Sequence, residues 1–203
     1  MTMTDRNRTA GFTLLELMVV ISILGLLMWA LLPRISASTD AAKAATTRGM
    51  IDQVGLSIDE YTDRMGWYPP SSLATFDVGG ADAANAGIEA LVLSLFDPAH
   101  DGIRPEDEWL VNLDGDRSPR SLTIMARPDL FELADAWGNP LVYIREDDYG
   151  RSQIVEGVIG IESGIVPARN STTGSPYNPE DYQLFSAGPD GSFATTEDNV
   201  GNW

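Results

Sequence analysis

Residues 11–33 read GFTLLELMVVISILGLLMWALLP, and the reading of this stretch decides the fold. From Phe12 to Leu32 it runs 21 residues, apolar except at Thr13, Glu16 and Ser22. A helix needs roughly 20 such residues to cross a bilayer. Glu16 stands five residues into the run. A carboxylate at that depth is costly in hydrocarbon, which makes it a candidate functional residue by default. The remainder of the chain reads as an acidic body carried on this helix.

Three readings of the N-terminus compete. A secretory signal peptide would have a shorter apolar core and a small-x-small cleavage site, for which Ser36-Ala37-Ser38 is available. The run is too long for that, and Glu16 is out of place. A simple membrane anchor leaves Glu16 unexplained. The third reading uses every odd feature. Arg6 and Arg8 precede the run and Arg34 follows it. The short leader sets the expected orientation, N-terminus inside and C-terminus outside. Gly11 lets an extended backbone enter a protease cleft without obstruction.

On these residues, Gly11-Phe12-Thr13-Leu14-Leu15-Glu16 resembles the processing signature of type IV pilins and type II secretion pseudopilins. The resemblance implies that prepilin peptidase cuts after Gly11 and that Phe12, the new N-terminus, is N-methylated. It implies that Glu16 pairs with the Phe12 amine of a neighbouring subunit. A buried pair of that kind fixes register better than it adds stability. Pro33 is where a kink or local melting of the helix is expected.

The head begins after Pro33. An Ala-rich segment leads into Ile51, Val54, Ile58, Tyr61 and Met65, spaced three, four, three and four apart. That is one apolar helix face. Gly66 and Pro69-Pro70 end it. Residues 12–65 are therefore expected as one helix, roughly 80 Å long at 1.5 Å per residue. A short amphipathic helix follows over 86–96, carried by Ile88, Leu91, Val92 and Leu95. Residues 97–129 are polar, and Asp114-Gly115-Asp116 reads as an Asp-Gly turn in preference to a cation pair. Asp135-Ala136-Trp137-Gly138-Asn139-Pro140 is a turn with Trp137 as core anchor, opening a strand over 141–144. Residues 153–162 read as one strand weakened by Gly157 and Gly160. A loop over 165–179 leads to a strand over 181–186.

Composition bounds the function. Net charge is −17, which argues against nucleic acid as a partner. There is no cysteine, so disulfides and cysteine-bound zinc are excluded. The one histidine, His100, is read as a surface-loop residue, leaving no evident catalytic triad. A membrane-anchored envelope enzyme is accordingly the weakest reading. About 170 residues remain after the apolar run, enough for one domain with a real core.

Three islands of the head extend the resemblance. Residues 67–92, with Trp67-Tyr68-Pro69 ahead of the short helix, residues 135–144, with the 135–140 turn, and residues 182–203 are similar to type II secretion major pseudopilins. Residues 97–129 and 146–181 look like additions to that compact head. Oxygen-bearing residues gather between Ser186 and Asn199, as calcium requires. The resemblance implies a calcium loop with side-chain oxygens from Ser186 and Asp198 and main-chain carbonyls from Leu184 and Val200. Asp190 and Glu197 are further candidates. A cation would staple loops that no disulfide can.

The expectation is an α+β, pilin-like fold: a long N-terminal helix packed on a small antiparallel sheet. Its parts are a leader (1–11), a transmembrane and filament-core helix (12–33) and a periplasmic head (34–203), with 34–66 continuing the helix. The function the resemblance implies is a structural subunit of a type II secretion pseudopilus. It would reside in the inner membrane, N-terminus cytoplasmic, before joining a periplasmic homo-oligomeric filament. The implied partners are prepilin peptidase, an inner-membrane assembly platform and minor pseudopilins. A type IV pilin or a minor pseudopilin is the alternative.

Overall fold

The computed structural model describes residues 12–79 and 83–203, and of residues 30–37 the backbone alone. The leader, with Gly11, lies outside the described residues. The chain divides into a first unit that ends at Ala41 and a second, Ala42–Trp203. Helix α1 (Leu14–Met65) has 52 residues. Its helical backbone runs through Pro33. Of the kink or local melting expected at Pro33, the helical backbone rules out the melting. A proline removes one backbone donor, while the flanking turns keep theirs. Gly66 ends the helix as predicted. It takes φ +83°, and its N–H donates to the Thr62 carbonyl at 2.8 Å. That left-handed C′ position is where glycine carries no Cβ penalty.

In the second unit the predicted stripe of α1 is the core face. Ile51, Val54, Ile58 and Tyr61 are buried, and Met65 packs at the edge. Against them lie Ile88, Leu91, Val92 and Leu95 from helix α2 (Ala86–Leu95), with Leu133, Tyr143 and Leu184 from strands. Burying each such side chain contributes about 1.5–3 kcal/mol. Three small antiparallel sheets form among the described residues. Strand β1 (Leu110–Val111) pairs with β2 (Glu132–Leu133). Strand β3 (Val142–Arg145) is the predicted strand after the 135–140 turn. Strands β4 (Gln153–Gly157) and β5 (Gly160–Ile165) pair with each other. Strand β6 (Tyr182–Ser186) lies between β3 and β7 (Val200–Gly201). Its register sets Val142 opposite Phe185 and Phe185 opposite Gly201. The α+β expectation holds.

Three local expectations are corrected. Residues 153–162 are not one strand but most of a hairpin, with Gly157 paired to Gly160 across Val158-Ile159. The two glycines mark the ends of a two-residue turn. His100 is buried, 1% exposed, and its ring lies tilted against Tyr61 with centroids 5.4 Å apart. Trp137 is half-buried and outside the core clusters. The turn is instead held by Asp135. Its carboxylate accepts the backbone N–H groups of Trp137 (2.8 Å) and Asn139 (2.9 Å).

Candidate functional sites at the two ends of the chain

Thr13 and Glu16 close a reciprocal cap on the start of α1. The Thr13 hydroxyl accepts the Glu16 N–H at 3.2 Å. Glu16 in return accepts the Thr13 N–H and hydroxyl, both at 2.9 Å. This is a capping box, which satisfies helix donors that have no intrahelical partner. The sequence signal is Thr-x-x-Glu before an apolar run, and it gives Glu16 a capping role beside the subunit pairing that the resemblance implies. Ser22 hides its polarity by donating to the Met18 carbonyl at 2.7 Å. Phe12 is 82% exposed, and every large apolar side chain from Leu14 to Trp29 is exposed as well. Among the described residues, no helix is long and apolar enough to cross a membrane; the apolar run itself continues into 30–32, whose side chains lie outside them.

At the other end, β6 and β7 bring four of the six predicted loop residues close in register. Leu184 and Ser186 lie on β6, Val200 faces Ser186, and Asp198 precedes β7. The Leu184 carbonyl accepts the Asn202 N–H at 3.2 Å. The Ser186 hydroxyl donates to Asp135 and accepts the Gly188 N–H at 2.9 Å. One carboxylate oxygen of Asp198, Oδ1, is buried with no hydrogen-bond partner. Gly188 has φ +74°, and a Cβ there would sit 2.3 Å from the Asp198 carbonyl oxygen. Only glycine permits that approach. Asp190 and Glu197 are exposed in the connecting loop, and Asp190 spends one oxygen on the Ser192 N–H at 2.9 Å. With its nitrogen turned toward the loop, the Asn199 amide donates to the Ala187 (3.1 Å) and Thr195 (3.0 Å) carbonyls.

The last residues lock this end, which sequence reasoning missed. Asn202 accepts the Leu184 N–H at 3.0 Å and donates to the Tyr182 carbonyl at 3.2 Å. Trp203 stacks flat on Tyr177 at 5.0 Å and leans on Phe185 at 5.5 Å. Asp135 joins the 135–140 turn to β6 by taking the Ser186 hydroxyl as well as the amides of its own loop. Burial pushes the Asp135 carboxyl above the ordinary Asp value, although Ser186 and the Asn139 and Trp137 amides pull the other way.

Comparison with known proteins bears on the N-terminal motif and on the chain as a whole. Residues 6–32 match the family described as the prokaryotic N-terminal methylation motif. The type II secretion system core protein G of Pseudomonas aeruginosa is 29% identical over 161 residues, 79% of this chain and 91% of that protein. The type II secretion system core protein G of Escherichia coli K12 is 26% identical over 202 residues, 98% of this chain and 93% of that protein. No solved structure matches the chain. The chain carries the prepilin-type N-methylation motif and is homologous over most of its length to type II secretion system core protein G.

Proposed function

We infer that this chain is a major pseudopilin, a structural subunit of the type II secretion filament rather than an enzyme. The observation that carries it is the methylation motif joined to end-to-end similarity with core protein G. Prepilin peptidase cuts after Gly11, and Phe12 becomes the methylated N-terminus. The subunit then waits in the inner membrane with its head in the periplasm. The exposed apolar row from Leu14 to Trp29 supports this, because lipid or neighbouring subunits must cover it. In the filament Glu16 leaves its cap for the Phe12 amine of a neighbour. The assembly platform and minor pseudopilins complete the partner set.

The C-terminal loop is proposed to hold calcium through Asp198, Ser186 and the Leu184 and Val200 carbonyls, with Asp190 and Glu197 at its rim. The buried, unpartnered Asp198 oxygen is the feature that fits a cation. The hydrogen bonds at Leu184 and Ser186 each leave an oxygen lone pair available. The ion would supply a cross-link between the β6–β7 pair and the loop that joins them. Deleting the gene from its host tests the function. Loss of protein export to the medium is expected; intact export with lost surface motility would overturn secretion in favour of a pilus.

A further inference from the structure

A second group of acids lies in the head and shares no residue with the C-terminal loop. Glu89, in the first turn of α2, is 0% exposed, and neither of its carboxylate oxygens has a hydrogen-bond partner. Glu132, on β2, is also 0% exposed. Asp114 comes from the turn in the 97–129 segment. One oxygen from each of the three lies within 4.8 Å of the others. Two of the three are held in place. Asn85 donates from one nitrogen to Asp114 (3.0 Å) and Glu132 (3.1 Å), and Leu113 N–H donates to Glu132 at 3.2 Å. Asn85 itself is fixed in a left-handed conformation, φ 53°, by the Glu156 backbone, to which it both donates and from which it accepts at 3.1 Å. Among the described residues, no ion pair with lysine or arginine reaches any of the three.

Buried like charges without a counter-ion are costly. Two outcomes relieve them: protons or a cation. We propose that Glu89, Asp114 and Glu132 form a buried site for a hard divalent cation of the calcium type, separate from the C-terminal loop. Three carboxylates are hard oxygen ligands. Calcium–oxygen arms of about 2.3–2.6 Å span separations up to roughly 5 Å, whereas magnesium arms of about 2.0–2.1 Å would require the site to contract. Glu89 is aimed into the group, and the charged groups that face it, Asp116, Asp114 and Glu132, are all acids. The ion would tie α2, the 97–129 segment and β2 together in a chain without cysteine. Without it, burial and repulsion from Asp116, Asp114 and Glu132 push the Glu89 carboxyl far up, and burial and Asp114 raise Glu132 to about 8.

The test is calcium stoichiometry of the full chain in detergent, stripped with chelator and dialysed against about 1 mM calcium. Variants Glu89→Gln, Asp114→Asn and Asp198→Ala are compared with the parent, with folding checked by circular dichroism. One equivalent is expected to remain in Asp198→Ala and to be lost in Glu89→Gln and Asp114→Asn. If Glu89→Gln does not fold, half-buried Asp114→Asn carries the comparison. An Asp198→Ala chain that is folded and binds none overturns the proposal, as do acid variants that bind as much as the parent. Equal binding by parent and Asp198→Ala would instead sink the C-terminal calcium reading and leave this one standing.

Discussion

Replacing Asp135 with alanine removes the group that ties the 135–140 turn to β6. Three donors lose their acceptor: the Trp137 N–H (2.8 Å), the Asn139 N–H (2.9 Å) and the Ser186 hydroxyl. Hydrogen bonds to a charged group contribute about 1.5–3 kcal/mol each, and a buried donor left alone costs about 1–3 kcal/mol. The Ser186 hydroxyl can rotate toward another acceptor, and the buried Asp135 carboxylate no longer has to be desolvated. The net expectation is about 2–4 kcal/mol, a large share of the roughly 5–15 kcal/mol that holds a domain together. At about 2–4 °C per kcal/mol for a head of this size, Tm falls by about 10 °C. Urea unfolding of the full chain in detergent and chelator, followed by near-UV circular dichroism, measures it. The variant should shift the midpoint with an unchanged slope. A double-mutant cycle with Ser186→Ala should return a coupling of about 1 kcal/mol or more. A single variant within about 0.5 kcal/mol of the parent, or a coupling near zero, would refute the reasoning.

Other consequences follow from single residues. Ile58 is wholly buried on the core face of α1, so Ile58→Ala should cost about 2–5 kcal/mol by the same unfolding measurement. Gly188→Ala should cost more than Gly174→Ala. Both glycines have positive φ, but only the first would drive a Cβ into backbone, and the difference isolates that clash. A pair of equal costs would show that the loop yields freely. Burial, aided by Arg104, holds the His100 imidazole below its ordinary pKa. The unfolded chain then binds more protons than the folded one just below pH 6.5. Stability should therefore fall on acidification through that range. His100→Leu should flatten this slope in melts taken between pH 7 and pH 5; an unchanged slope would assign it to other groups.

What the sequence made legible was set by range. The α1 stripe, the Gly66 stop and α2 depend on neighbours within a few turns, and they were readable from spacing alone. The 153–165 hairpin was blurred because its turn residues, Val158 and Ile159, are strand formers, and only the flanking glycines hint at reversal. Strands β1, β2 and β7 have two residues each, too few for any periodic signal. His100 and Trp137 were misplaced because burial depends on what the rest of the chain sets over a residue. The Thr13–Glu16 cap was local and legible, and it was overlooked because the acid already had a functional explanation. The C-terminal residues were read by resemblance, but the closing action of Asn202 and Trp203 was not. It requires Gly201, where a Cβ would lie 2.4 Å from the Trp203 ring. The Glu89–Asp114–Glu132 group joins positions far apart in the chain, a meeting that no spacing rule announces.

The central claim is that this chain is a prepilin-type subunit cut at Gly11 and capped at Phe12. Intact mass and N-terminal peptide spectra of the protein purified from its host test this most directly. The account predicts loss of residues 1–11 and a methylated Phe12 amine. A retained Met1, or a cut near Ser38, would contradict it.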